Sequence, residues 1–204
     1  MIRLRYLTGG VRYLAGSALA LALAACSSAP LHYYTLVPPA AEAPAGAPAA
    51  FQFELLPVGV PAQVDQPQLV VRQGGQGVAP LNGERWIAPL ADEVRGALSA
   101  DLAHALNTQD VTGLPAGSKP VLRIKLDLRR FDSQPGEYAL IDAAWSVRQP
   151  KGGAVLACTS RIRESVGPGY DALVQGHQQA LARLAAQIAA VAGPVAAGQP
   201  ASCP

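Results

Sequence analysis

The first residue that could do chemistry is Cys26, which ends the stretch Leu23-Ala24-Ala25-Cys26. Residues 1–16 carry three arginines and no acid, and residues 17–25 form a short run of Ser, Ala and Leu. A basic start, a short apolar run and small residues before a cleavage point are typical of a secretory signal. A cysteine directly after that point can be acylated on its thiol. We therefore predict a lipoprotein signal peptide over residues 1–25 and a covalent lipid on Cys26.

Two other interpretations of the N-terminus are a transmembrane helix and an ordinary secretory signal. A spanning helix needs about 20 apolar residues, and this run is about half that long. The stretch ending at Cys26 resembles a bacterial lipobox, and Ser27 rather than Asp follows it. In a Gram-negative bacterium that choice is typical of sorting to the outer membrane. We therefore expect residues 26–204 to form a single α+β domain, lipid-anchored at the periplasmic face of the outer membrane.

The two remaining cysteines are Cys158 and Cys203. The periplasm is oxidising, so two thiols in one mature chain favour a disulfide. The alternative is a buried free thiol at Cys158 with Cys203 on a loose tail. We predict the Cys158–Cys203 bridge.

No motif of the sequence indicates catalysis or metal binding. The chain lacks HExxH, CxxC, GxSxG and P-loop patterns. Its three histidines lie far apart in the sequence: His32, His104 and His177. Three aspartates could be imagined as a carboxylate cluster for acid–base work: Asp127, Asp132 and Asp142. Because Asp127 lies on the polar face of its strand, a solvated face is the better interpretation. We therefore predict neither an enzyme nor a cofactor beyond the covalent lipid on Cys26.

A partner-binding site is predicted around Trp86 and Ile87. They follow Asn82-Gly83, a dipeptide that strongly favours a hairpin turn. Tryptophan is enriched among the residues that dominate protein interfaces. The alternative is that Trp86 caps the core at the head of the first helix.

Charge argues against a nucleic-acid partner. The chain has 16 basic and 14 acidic side chains, a net charge of +2. Three of the arginines belong to the signal segment, so the mature chain has 13 basic against 14 acidic residues. A basic footprint for nucleic acid is then missing. Arg123, Lys125 and Arg129 share the polar face of one strand, which we interpret as solvated, with docking of an anionic partner as the alternative.

The elements that must position these residues follow from periodicity. Apolar spacing predicts amphipathic helices over 90–106 and about 170–191, the second ended by Gly193-Pro194. Alternating or β-rich runs predict strands in eight stretches: 32–37, 51–60, 69–73, 78–81, 84–87, 122–129, 138–149 and 154–166.

The predicted order is β-β-β(hairpin)-α-β-β-β-α. It favours an α+β fold of two layers, a mostly antiparallel sheet covered by two amphipathic helices. The Pro/Ala-rich stretch 38–50 is predicted to be an internal loop, because the aromatic and β-branched residues before it favour a strand. Residues 193–204 are predicted to form a C-terminal tail.

Several stretches, in this order after the lipobox, resemble the ABC-type transport auxiliary lipoprotein family. They cover nearly all of the mature chain: Tyr33-Tyr34-Thr35-Leu36, Val58-Gly59-Val60-Pro61, Arg85-Trp86-Ile87-Ala88-Pro89-Leu90, Leu126-Asp127-Leu128-Arg129-Arg130-Phe131-Asp132, Ala143-Ala144-Trp145-Ser146-Val147 and Ala180-Leu181-Ala182-Arg183-Leu184-Ala185.

The resemblance implies a non-catalytic outer-membrane subunit that docks a periplasm-spanning protein of the MCE class, in a system that carries lipids between the two membranes. It also implies self-association into a homo-oligomeric ring. The alternative function is a regulatory lipoprotein that activates a periplasmic cell-wall enzyme.

Overall fold

The computed structural model describes residues 30–40, 47–115, 117–149, 153 and 155–204. The predicted signal peptide and Cys26 lie outside these residues. The described strands are β1 (His32–Tyr34), β2 (Gln52–Leu55), β3 (Gln68–Arg72), β4 (Val78–Trp86), β5 (Val121–Gln134), β6 (Tyr138–Arg148) and β7 (Val155–Ser165). Helix α1 (Leu90–Leu106) follows β4, and helix α2 (Tyr170–Ala196) follows β7. The predicted α+β class and order of elements are confirmed.

The strands form two sheets rather than the single sheet that we predicted. The smaller has the order β1-β4-β3, and the larger has the order β2-β5-β6-β7. The pairs β1–β4 and β2–β5 are parallel, and the other pairs are antiparallel. Parallel neighbours need long connections, and here each is separated from its partner by at least one other strand in the sequence.

The core lies between the sheets and the two helices. Alternation in β5 directs Leu122, Ile124 and Leu126 inward, and all three are fully buried. Helix α1 buries Val94 and Leu98, spaced four apart on one face. Fully burying an aliphatic side chain of this size stabilises the fold by about 1.5–3 kcal/mol.

The hairpin predicted at Asn82-Gly83 is wrong. Both residues lie inside the single strand β4, and the turn that joins β3 to β4 instead contains Gly74 and Gly75. A two-residue turn of the type that favours Asn-Gly needs positive φ at both positions. Among the described residues near this hairpin only Gly74 and Gly75 have it, with φ of 85° and 52°. Asn82 and Gly83 instead lie where the β3–β4 register shifts.

The predicted end of the last helix at Gly193-Pro194 is also wrong, because α2 continues to Ala196. A proline lacks the N–H of the helical ladder. Two contacts favour the extra residues nonetheless: Val195 is buried in the core, and the amide of Gln149 donates hydrogen bonds to the carbonyl oxygens of Val195 and Ala196. None of the helices in the described part of the chain is long and apolar enough to cross a membrane.

Candidate interaction surfaces

The first strand after the predicted anchor is held firmly to the domain. β1 pairs with the end of β4, with His32 opposite Glu84 and Tyr34 opposite Trp86. His32 Nδ1 lies 3.1 Å from the Glu84 carboxylate, and the Tyr34 hydroxyl donates a 2.7 Å hydrogen bond to it. Burial, followed by the hydrogen bond to Glu84 and its charge, raises the pKa of Tyr34. The phenol therefore stays protonated and remains a donor.

A second acid, Glu93 of α1, holds the residues that follow β1. Its buried carboxylate accepts hydrogen bonds from the Thr35 hydroxyl and the Leu36 N–H, each at 2.7 Å. The side chain of Leu36 is fully buried. The amide of Gln178 in α2 donates to the Thr35 carbonyl at 3.2 Å. Strand pairing of Tyr33 and Tyr34 is as predicted.

Of the predicted partner-binding residues, Trp86 is only 5% exposed. Its ring packs edge-on against Phe131, with centroids 6.1 Å apart, so it belongs to the core. Ile87 is 61% exposed and lines a small pocket of about 290 Å³ together with Pro67 and Pro89. Asn82 is exposed, but it is not presented on a hairpin tip.

The structure brings together one pair of residues that resembles a catalytic dyad. Ser133 Oγ lies 2.8 Å from His177 Nε2. Both side chains are buried, and the imidazole stacks on Phe131 at 3.8 Å between centroids. Its Nδ1 has no hydrogen-bond partner in the part of the chain that the structure describes. Burial lowers the pKa of His177 to about 3, so the ring is neutral. A buried, neutral, stacked imidazole acts as a packing element.

The three aspartates of the imagined cluster do not form a common acid–base site. Asp127 pairs with Lys125 at 3.1 Å, and Asp132 pairs with Arg72 and Arg130. Among the described residues, no group of three or more His, Cys, Asp or Glu is arranged to hold a metal ion.

Cys158 and Cys203 are joined by a disulfide, with Cα atoms 5.6 Å apart. Cys158 lies in β7, and Cys203 lies beyond the end of α2. The bridge fixes the C-terminal residues beside an edge of the larger sheet. Because it closes a loop with a sequence separation of 45, it also restricts the unfolded chain.

The outer face of the larger sheet is rich in basic side chains. The register places its residues in rows across β5, β6 and β7: Arg123–Arg148–Val155, Lys125–Ser146–Ala157, Asp127–Ala144–Thr159 and Arg130–Asp142–Arg161. The two central rows have small side chains on β6 and β7. They line a shallow depression of about 500 Å³, which Arg129 also borders. We call this surface the basic face.

Three exposed guanidinium groups of the basic face have no partner among the described side chains. Arg129, Arg148 and Arg161 form no hydrogen bond or ion pair with another described side chain, although Asp142 lies opposite Arg161 in the register. By contrast, Arg123 is bound to Glu54 at 2.8 Å. A free guanidinium can bind a carboxylate or phosphate through two parallel hydrogen bonds. The sequence showed the alternation of this strand, but not which cations lack partners.

Solved structures share this fold. One is a crystal structure of an uncharacterized protein, 21% identical, with a TM-score of 0.63; the match covers 79% of this chain and 98% of that one. Another is a Xanthomonas campestris protein of the DUF330 family, 18% identical, with a TM-score of 0.59; it covers 82% of this chain and 96% of that one. At this level of identity the likeness concerns the fold alone. Comparison with the curated proteins found no match.

The sequence profile of one family, described as the ABC-type transport auxiliary lipoprotein component, matches residues 34–189. The matched range begins within β1 and ends within α2, so it includes both sheets and both helices. It contains the two acids that hold β1 and all of the basic face. The chain therefore belongs to the family of ABC-type transport auxiliary lipoproteins.

Proposed function

We propose that this protein is a non-catalytic outer-membrane subunit of an MCE-type intermembrane lipid transport system, and that it docks a periplasm-spanning MCE protein at that membrane. The observation that carries the proposal is the fixing of β1. His32 is the sixth residue after Cys26, and the segment it opens is bound by Glu84 and Glu93. A domain held this close to its lipid suits a docking platform.

We assign the partner contact to the basic face. Arg129, Arg148 and Arg161 present unpaired positive charge around a depression lined by small side chains. Arginine is among the residues that dominate binding energy at interfaces, and complementary charge speeds association. The partner surface that fits is acidic. The proposal also includes self-association into a ring, as the family resemblance implies.

Pull-down from detergent-solubilised native membranes tests this proposal. The wild-type protein should bring down an MCE protein, and the double variant Arg129→Glu, Arg161→Glu should lose it, because reversed charges repel an acidic partner. Lys119→Glu is the matched control: it reverses an exposed cation that lies outside the basic face. Chemical cross-linking of the same membranes shows whether the subunits form a closed oligomer.

The anchor is tested separately by Cys26→Ala, which should release the protein from the outer-membrane fraction. Unchanged fractionation would show that the anchor is wrong. If the pull-down recovered a cell-wall synthase and no MCE protein, the docking function would be wrong. The alternative, a regulatory lipoprotein that activates a cell-wall enzyme, would then be supported. If all variants recovered the MCE protein equally, the basic face would not be part of the interface.

A further inference from the structure

Two large apolar side chains are exposed at the β1 edge of the smaller sheet. Tyr33 and Ile87 are 55% and 61% exposed. Single exposed apolar residues are common on protein surfaces and need no explanation. The strand register, however, places these two side by side.

Tyr33 and Ile87 lie on one face of the smaller sheet. Tyr33 is opposite Arg85 in the parallel β1–β4 pair, and the Ile87 N–H donates to the Tyr34 carbonyl at 2.9 Å, so the pairing continues to Ile87. Since side chains alternate along a strand, Tyr33, Arg85 and Ile87 share the outer face, whereas Trp86 points to the core. We call Tyr33, Arg85 and Ile87 the tether patch.

Chain length limits how far the tether patch can move from the lipid. Seven peptide steps separate Cys26 from Tyr33, which reach at most about 24 Å when fully extended. The patch cannot peel away from the domain, because Glu84 and Glu93 hold β1 and the residues after it. In the anchored protein the patch is therefore within reach of the bilayer that holds the acyl chains.

The chemistry of the patch suits a headgroup layer. Tyrosine has an apolar ring and a polar tip and is enriched at membrane–water interfaces, and isoleucine supplies apolar area. The Arg85 guanidinium can bind a lipid phosphate. We propose that the tether patch rests on the phospholipid headgroups around the lipid anchor and so orients the domain on the membrane. This inference rests on the anchored state in the proposed function.

Quenching by brominated lipid tests the contact directly. The full-length acylated protein, carrying Ile87→Cys or Val78→Cys, is labelled with bimane without reductant, so that the Cys158–Cys203 bridge stays intact. Val78 is the matched control: it is 56% exposed at the other end of the same strand, up to about 30 Å away. The protein is placed in phosphatidylethanolamine and phosphatidylglycerol vesicles, with or without bromine near the headgroup end of the acyl chains.

Bimane at position 87 should lose most of its fluorescence in brominated vesicles, and bimane at position 78 should keep it. Adding Tyr33→Ser to the Ile87→Cys protein should reduce the quenching. If the protein floats with the vesicles but bimane is equally unquenched at positions 87 and 78, the contact between patch and headgroups is wrong, whereas the lipid anchor still holds. If bimane at position 87 becomes inaccessible to solvent only when an MCE protein is added, the patch is a protein interface and the proposed lipid contact is wrong. Protein that carries no acyl group and does not float overturns the anchor, and the inference with it.

Discussion

At the scale of single residues, Glu93 decides whether the segment after β1 stays on the domain. Glu93→Ala leaves the Leu36 N–H and the Thr35 hydroxyl without their acceptor. Removing one partner of a buried hydrogen bond costs about 1–3 kcal/mol. We expect the melting temperature to fall and the Leu36 amide to exchange faster, as measured by hydrogen exchange with mass spectrometry.

Two variants control for this prediction. Asp92→Ala removes the neighbouring exposed acid in the same first turn, and it should change Leu36 exchange little. Glu93→Gln keeps an acceptor oxygen and should recover part of the protection. Unchanged exchange at Leu36 in Glu93→Ala would contradict the role given to this carboxylate.

His177 makes the stability of the fold sensitive to acid. Its pKa is lowered to about 3 by burial, so the unfolded state, with the ordinary value near 6.5, binds the proton first as the pH falls. Stability is therefore unaffected above about pH 6.5 and falls between about 6.5 and 3, by up to about 1.4 kcal/mol per pH unit. His177→Gln should flatten the fall in melting temperature between about pH 7 and 5. An unchanged slope in His177→Gln would contradict the assignment.

At the scale of elements, Gly176 sets how closely α2 approaches the larger sheet. A Cβ atom placed there would lie 2.3 Å from Val166 Cγ1 and 3.0 Å from Ala139 Cβ. Gly176→Ala should therefore destabilise the protein by about 1–3 kcal/mol through overpacking, although alanine is the better helix former. Chemical denaturation measures the change.

Gly193→Ala is the matched substitution in the same helix. Outside the chain neighbours and the helix backbone, a Cβ there meets no described atom within 4 Å, so no overpacking against the sheet arises. The following Pro194 disfavours a Cβ in the helical region and offsets the better helix propensity of alanine, so only a small change in stability is expected. Equal effects at the two glycines would mean that α2 does not pack against β6 and the end of β7 as described.

The elements were predictable from the sequence where the signal is local. The alternation of β5 and the apolar spacing of α1 each repeat over many residues, so one exception does not hide them. The hairpin predicted at Asn82-Gly83 was wrong because β4 pairs on both sides, with β1 and β3, and this pairing outweighs the turn preference of two residues. The predicted end of α2 was wrong because a tertiary contact outweighs the local signal: burial of Val195 favours helix beyond Pro194.

The candidate site was less predictable, because its parts are distant in the sequence. Glu93 stands out only as an acid in a first turn, where it suits the helix dipole, and its partners Thr35 and Leu36 lie 58 and 57 residues away. The alternating cations of β5 were visible, but Arg161 joins them only through the register of three strands. Trp86 could equally have been core or interface until its contact with Phe131 was known.

At the scale of the whole molecule, the proposed anchor makes residues 27–31, and not the Pro/Ala-rich stretch 38–50, the link between lipid and fold. Composition alone suggests the opposite, because residues 38–50 have the character of a flexible leash. Buried residues lie on both sides of that stretch, Leu36 before it and Phe51 after it. Both ends of the stretch therefore belong to the same domain, and residues 41–46 lie outside the described residues.

Two insertions of the same flexible Gly/Ser segment separate these arrangements. An insert of about 15 residues, with a coil span of roughly 20 Å, is placed either before Pro30 or within residues 41–46. The tether patch consists of few side chains, so its contact with the bilayer depends on the high effective concentration that a short tether maintains, and that concentration falls steeply with tether length. We expect energy transfer from a dye at position 78 to labelled vesicle lipids to decrease for the first insert and to stay at the wild-type level for the second. If both inserts lowered the transfer equally, residues 27–50 would act as one tether and β1 would not be held to the domain in the membrane-bound protein.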